Sequence, residues 1–235
     1  MRRYVTELIG TFFLVLTVCC VSLTGTPLGA LAVGAVLMTM IFAGGHISGA
    51  HYNPAVTLAV FLRGRLDVKE VGPYMGAQLV GALAAAGLSR FIIDVEPVAL
   101  TATGDRLFAA FVAELLFTFA LAYVVLNVAT SKAHPNNSFY GLAIGFTVLA
   151  GAVAVGGLSG GAFNPAVGLG ISVAGVASWS LIWIYLLAPL AGGAAAAYAF
   201  RYLNPDDLSA TPAGPNDRPT AAAKSTRVPS ERRSG

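Results

Sequence analysis

Two copies of one triplet, Asn53-Pro54-Ala55 and Asn164-Pro165-Ala166, carry the residue types best suited to chemistry at a buried helix end. Proline fits the first helical position, where its missing N–H removes nothing. Asparagine fits the position before it, where the side-chain oxygen accepts from first-turn amides. That leaves the carboxamide NH2 of Asn53 and of Asn164 as a donor. Alanine is small enough to let two helix ends touch. Two helix N-termini brought together would each present about half a positive charge, which repels cations and protons. A neutral solute with lone pairs could accept from both asparagines. It could then step along the carbonyls of the runs before each triplet, Gly49-Ala50-His51-Tyr52 and Gly160-Gly161-Ala162-Phe163. No acid–base pair, nucleophile constellation or metal-binding cluster shares a site in the sequence. Neither an enzymatic reaction nor a cofactor or metal is therefore expected.

These triplets need elements that hold them at one depth. The chain has 235 residues, 56% hydrophobic and 11% charged, with a mean hydropathy of +0.74. A soluble domain of this length carries more charge, so the surplus apolar surface must face lipid. Stretches near 4–24, 29–49, 70–93, 107–130, 138–157 and 178–202 are long enough to span, since a core of about 30 Å takes about 20 helical residues. Shorter apolar stretches near 53–61 and 164–174 each open on a triplet and cannot span.

The spans repeat. The two asparagines lie 111 residues apart, Gly34 and Gly145 each sit 19 residues before theirs, and Gly81 and Gly192 each sit 28 after. Glu7-Leu-Ile-Gly-Thr-Phe-Phe pairs with Glu114-Leu-Leu-Phe-Thr-Phe-Ala, four residues out of that register. Each copy holds three spans, and an odd number turns the second copy upside down. The expected fold is an all-α integral membrane bundle of six transmembrane helices and two re-entrant half-helices in an inverted 3+3 repeat. Repeat one covers about 4–93 and repeat two about 107–203, within a domain over 1–203. Residues 204–235, rich in Pro, Ser, Thr and charge, read as a disordered tail.

Basic residues set the orientation. Arg2, Arg3, Arg63, Arg65, Lys69, Lys132 and Arg201 fall on one face with the tail cations Arg218, Lys224, Arg227, Arg232 and Arg233, against Arg90 and Arg106 on the other. The positive-inside rule then puts both termini in the cytoplasm, and the plasma membrane is the expected location. The pI of about 9.0 follows from this asymmetry rather than from a nucleic-acid surface. The first span is too long for a signal-peptide core, holds Glu7 and lacks a following cleavage site. Adjacent Cys19 and Cys20 within one span do not suit a structural disulfide.

The run Gly45-His46-Ile47-Ser48-Gly49-Ala50-His51-Tyr52-Asn53-Pro54-Ala55-Val56-Thr57 resembles the major intrinsic protein family, the aquaporins and aquaglyceroporins, and the resemblance extends over about residues 4–203. It implies a right-handed bundle, one pore per subunit and a homotetramer. It also implies a selectivity filter, which falls here on Val33, Ala152, Gly161 and Val167. Water-selective members carry Phe, His, a small residue and Arg at those places. Val167 stands where that arginine would be, and the run Gly160–Val167 is similar to plant vacuolar-type members. A valine donates no hydrogen bond, so losing the guanidinium widens the lumen and removes a cation barrier. The expected solutes are water and small neutral molecules: glycerol, urea, ammonia or hydrogen peroxide. The glycerol-facilitator aspartate four residues after the second asparagine is replaced by Gly168. A strictly water-selective channel is the alternative.

Glu7 and Glu114 lie well inside spans, where carboxylates are costly and point to function. The expectation is that each accepts from the amides of one re-entrant loop, rather than relaying protons. His46 is expected to brace the first loop, and His51 to stand nearer the pore. The glycines at 72, 76, 81, 87, 192 and 193 are expected to serve close helix packing. Asn136-Asn137-Ser138 matches a glycosylation sequon that the topology places inside. A secondary transporter also uses broken helices, but the midplane here offers no group to bind a coupling ion. A non-conducting structural membrane protein leaves the intact triplets without a purpose.

Overall fold

The computed structural model describes residues 1–208. Eight α-helices follow one another: α1 (Arg2–Thr24), α2 (Gly29–Ser48), α3 (Pro54–Leu62), α4 (Val68–Ile92), α5 (Asp105–Thr130), α6 (Tyr140–Ser159), α7 (Pro165–Val173) and α8 (Ile182–Leu203). Short 3-10 turns at Trp179–Leu181 and Pro205–Asp207 flank α8. Helices α1, α2, α4, α5, α6 and the stretch Trp179–Leu203 are long and apolar enough to cross a membrane. Helices α3 and α7 have nine residues each, about 13 Å at 1.5 Å per residue, and reach only part of the way.

The spans are built for lipid outside and close packing inside. In α1 the buried residues are Glu7, Gly10, Thr11, Leu14, Val15, Val18, Cys19 and Leu23, while Val5, Ile9 and Phe13 are exposed. Helix α4 buries Tyr74, Gln78, Gly81, Ala82, Ala85, Ala86 and Ser89. Both sets recur at the three-and-four spacing of one helix face. The polar side chains of Glu7, Thr11, Gln78 and Ser89 are all on the buried stripes, while large apolar groups such as Ile9, Phe13, Val80 and Leu83 face outward.

Helix α1 packs on α4, α5 on α8, and α2 on α6. At the α2–α6 contact Gly34 and Gly145 face each other. A Cβ on Gly34 would sit 2.8 Å from the Gly145 carbonyl oxygen, and one on Gly145 would sit 2.5 Å from the Gly34 oxygen. Only hydrogen fits there, so the sequence symmetry of this pair marks the seam between the halves. Gly81, Gly192 and Gly193 likewise press on neighbouring backbone. Gly72, Gly76 and Gly87 do not: they are exposed on the outer side of α4 with no neighbour within 4 Å among the described residues. Half-helix α3 lies among α8, α4 and α5, and α7 among α4, α1 and α8, so each is gripped by spans of both repeats.

Residues 204–208 are described and fold into the Pro205–Asp207 turn, with Asp207 buried. The remainder of the expected tail, 209–235, lies outside the described residues. Cys19 is buried, Cys20 half-buried, and both are free thiols. Asn136 occupies a tight turn at φ 56°, and the neighbouring Asn137 amide donates to Val128 O at 2.6 Å.

Candidate functional site

Helices α2 and α6 each stop at a glycine in the left-handed region, Gly49 at φ 88° and Gly160 at φ 90°. From there the chain runs back through irregular backbone to a triplet. Two more left-handed positions repeat between the halves: Ala50 and Gly161 at 52° and 61°, then Tyr52 and Phe163 at 51° and 49°. A non-glycine residue rarely adopts this conformation, so the surroundings must impose it. Irregular backbone at membrane depth persists only where protein satisfies it.

Much of that satisfaction comes from two carboxylates. Glu7 Oε1 accepts from the Ser48 hydroxyl at 2.7 Å and the His51 amide at 3.0 Å. Its Oε2 accepts from the Tyr52 amide at 2.7 Å and the Gln78 side chain at 2.8 Å. Glu114 Oε1 accepts from the Ser159 hydroxyl at 2.7 Å and the Ala162 amide at 3.0 Å, and Oε2 from the Phe163 amide at 2.6 Å. Both glutamates are fully buried. The loop ends are tied again by Tyr74, which donates to Ser48 O, and by Tyr185, which donates to Ser159 O, both at 2.8 Å.

The Ser48, Ser159, Tyr74 and Tyr185 contributions were not singled out from the sequence. Both pairs stand 111 residues apart, so the register of the triplets was the signal that would have found them. Gln78 was also missed, and its counterpart in that register is Pro189, so symmetry could not have flagged it. His46 does not brace the loop. Helix α2 continues through Ser48, which turns His46 outward onto the exposed last turn. The histidine that does engage is His51, whose Nδ1 lies 3.2 Å from Thr57 Oγ1. Thr57 gives its own proton to Asn53 O at 3.0 Å, so the ring bond requires the proton on Nδ1.

The triplets meet as capped helix ends. Asn53 Oδ1 accepts from Ala55 N at 2.8 Å and Val56 N at 3.4 Å, and Asn164 Oδ1 accepts from Ala166 N at 2.9 Å. The carboxamides are not wholly free. Asn53 Nδ2 donates to Phe163 O and Asn164 Nδ2 to Tyr52 O, each at 2.9 Å. The left-handed turns at Tyr52 and Phe163 aim those carbonyls across to the opposite half. One N–H of each asparagine thus clamps the halves together and one remains for a solute. The Tyr52 and Phe163 oxygens each keep a single lone pair, and both residues are buried.

A cavity runs past this clamp. It is bordered by Asn53, Asn164, Ala50, His51, Tyr52, Gly161 and Ala162, and by Val33 and Val167, two of the positions expected to form a filter. The fourth, Ala152, does not border it directly but backs Gly161: a Cβ on that glycine would lie 3.4 Å from the Ala152 Cα. The remaining wall is aliphatic: Leu14, Val18, Leu37, Ile41, Val56, Leu121, Val125, Ile144 and Val148. Leu14 and Val18 pair with Leu121 and Val125 at the 107-residue offset that links Glu7 to Glu114. The first-span register of the repeat therefore held these lining residues too. Among the described residues no group of His, Cys, Asp and Glu is placed to hold a metal ion.

Spans that enclose two opposed half-helices, clamped tip to tip beside a lined cavity, define a membrane channel. The chain belongs to the major intrinsic protein family, whose profile matches residues 1–200. It is 36% identical over 217 residues to glycerol uptake facilitator protein-like 6 of Lactiplantibacillus plantarum, covering 88% of this chain and 100% of that protein. It is 32% identical over 212 residues to probable aquaporin NIP4-2 of Arabidopsis thaliana, covering 86% of this chain and 74% of that one. It is 34% identical over 217 residues to nodulin-26 of Glycine max, covering 88% and 79%. The solved aquaglyceroporin from Plasmodium falciparum superposes with a TM-score of 0.74 over 88% of this chain and 98% of that one, at 23% identity, a likeness of fold.

Proposed function

We propose that this channel passes water together with small uncharged solutes, of which glycerol, urea, ammonia and hydrogen peroxide are the expected set, and that it excludes ions and protons. The observation that carries the reading is the wall of the cavity. Val33 and Val167 border it beside Gly161, so no guanidinium narrows it at the place where water-selective relatives carry arginine. The run Gly160–Val167 favours a filter like that of plant vacuolar-type members. The name glycerol uptake facilitator-like, borne by one relative, agrees with a solute range beyond water. Hydrogen-bonding capacity at the centre comes from one remaining N–H on each of Asn53 and Asn164 and from loop carbonyls at Gly49, Ala50, His51, Gly160 and Ala162. The two helix N-termini there disfavour cations.

In this reading residues 1–203 form the channel unit in two repeats, both termini face the cytoplasm, and the protein assembles as a homotetramer in the plasma membrane. The face that carries the termini also carries Arg2, Arg3, Arg63, Arg65, Lys69, Lys132 and Arg201, which supports that orientation. The deciding experiment is stopped-flow light scattering on proteoliposomes with water, glycerol and urea. Fast flux of water and of at least one larger solute is expected. Fast water flux with no flux of glycerol, urea or ammonia would establish the strictly water-selective alternative. Saturable flux driven by a proton or sodium gradient would indicate a coupled transporter.

A further inference from the structure

The two half-helices are anchored differently at their outer ends. Beyond α7 the backbone closes on itself and on the loop before α5. Val176 N and Ala177 N donate to Ile171 O at 2.8 and 3.1 Å, Leu100 N donates to Val176 O at 2.8 Å, and Ser178 N donates to Leu100 O at 2.9 Å. Beyond α3 the backbone closes on itself in the same way, Arg65 N donating to Val60 O at 3.0 Å, but the attachment to other elements is made by charged side chains. Arg63, the residue that ends α3, is buried, with 2% of its side chain exposed. Its Nε donates to Thr130 Oγ1 at 2.8 Å and its Nη2 to Thr130 O at 3.0 Å, at the end of α5. The same guanidinium stands 4.8 Å over the Phe200 ring of α8. Its Nη2 lies 3.4 Å from Asp207 Oδ2, and that side chain is only 7% exposed.

Asp207 is the fourth residue after α8. Its Oδ1 accepts from the Lys132 amide at 3.1 Å. Arg201 adds a bond from Nη1 to Leu62 O at 2.8 Å, placing a second cation on the carbonyl end of α3, where the helix dipole favours it. In the 111-residue register Arg63 corresponds to Ala174. The cation is therefore not part of the duplicated plan and exists in one half only.

We propose that Arg63 and Asp207 are positioning residues for the pore: their ion pair makes the root of the C-terminal segment part of the support that sets the depth of α3, and with it the placement of Asn53. Half-helix α3 has nine residues, about 13 Å of rigid helix, so a shift at Arg63 is passed on to its other end. That other end holds Asn53, whose Nδ2 reaches Phe163 O. Its first turn is wedged against α8, where a Cβ on Gly193 would lie 2.5 Å from Ala55 O. Removing one member of a buried pair leaves the other charge without its partner. The free guanidinium then turns toward water and draws the end of α3 with it. The mirror half-helix has Ala174 at the matching place and is tied instead to the loop before α5 by backbone bonds at Leu100.

The test uses the full chain in proteoliposomes and in detergent, and the proposal rests on the channel reading above. Asp207→Asn and Arg63→Gln are each expected to change the ratio of glycerol to water permeability by about two- to threefold, within the range that a residue remote from a site contributes to it. Asp207→Glu, which keeps the charge, should restore the parent ratio. If Arg63→Gln fails to assemble, Asp207→Asn and Asp207→Glu decide the matter. A lowered melting temperature with the ratio unchanged would reduce the pair to a structural staple and overturn the proposal, as would an effect of Asp207→Asn that Asp207→Glu fails to reverse. Absence of flux in the parent protein would instead remove the channel reading itself, and the two failures are distinct.

Discussion

At position 167 a branched hydrocarbon borders the cavity directly after the second triplet, beside two half-available carboxamides. Restoring charge there as Val167→Arg should lower glycerol and urea permeability relative to water by about tenfold, the low end of what one pocket contact contributes to discrimination. Stopped-flow permeabilities on matched proteoliposomes check this, and an unchanged ratio would show that position 167 does not set the filter. Position 168 behaves differently. A Cβ on Gly168 would overlap the buried side chain of Tyr185, and Tyr185 cannot retreat without losing its bond to Ser159 O. Gly168→Asp should therefore lower folded yield and melting temperature rather than create a glycerol facilitator. A well-folded variant with raised glycerol flux would contradict this. The sequence showed that aspartate is missing here, but only the packing explains why it cannot be added.

The re-entrant loops are the elements on which the pore depends. Each is a left-handed backbone run held by one glutamate, one serine and one tyrosine. Because Glu7 receives four donors, Glu7→Gln sets an amide NH2 among groups that need acceptors. An unsatisfied buried donor costs about 1–3 kcal/mol, so the variant should melt earlier in detergent while keeping the solute ratio of the parent. A changed ratio at normal stability would point to a transport role for the carboxylate. Tyr74→Phe and Tyr185→Phe each remove one hydroxyl bond of equal length. Each should cost about 1 kcal/mol, and the double variant should lose close to the sum, since the two hydroxyls bond separate carbonyls, Ser48 O and Ser159 O. The carboxylates were legible from the repeat because an acid in a span is rare enough to notice. Serines and tyrosines in apolar helices are common, so chemistry alone gave no reason to choose Ser48 or Tyr74 before the loop was seen to end on them.

For the molecule as a whole, the segment after α8 joins α3 and α5 through Asp207. Burial alone would raise this carboxyl. The Ser131 hydroxyl, the Lys132 amide and the positive charges of Arg63 and Lys132 outweigh burial and hold it below its ordinary value of 3.8. A carboxyl depressed on folding stabilises the fold fully above its unfolded value and loses that contribution as pH falls through the folded one. The parent protein should thus lose melting temperature below pH 3.8 more steeply than Asp207→Asn does. Parallel melting curves for the two proteins in acid would count against this. The sequence read residues 204–235 as one tail by composition, but composition averages over a segment. It could not register that a single aspartate near the start meets a buried arginine 144 residues earlier.

The sequence by itself determined the class of fold and the place of the pore. Six apolar spans, an odd count per repeat and two helix-starting triplets leave little freedom, because a bilayer admits only helices whose backbone is satisfied. Tertiary structure alone decided how the asparagines are used. Whether a carboxamide faces solute or clamps the opposite loop depends on where Tyr52 and Phe163 aim their carbonyls, and that is set by left-handed turns held from outside the segment. It also decided that His46 faces outward while His51 engages Thr57, since His46 falls on the exposed side of the last turn of α2 and His51 lies beyond it in the loop. It gave the two half-helices unlike supports, because contacts between residues far apart in the chain leave no periodic trace in the sequence.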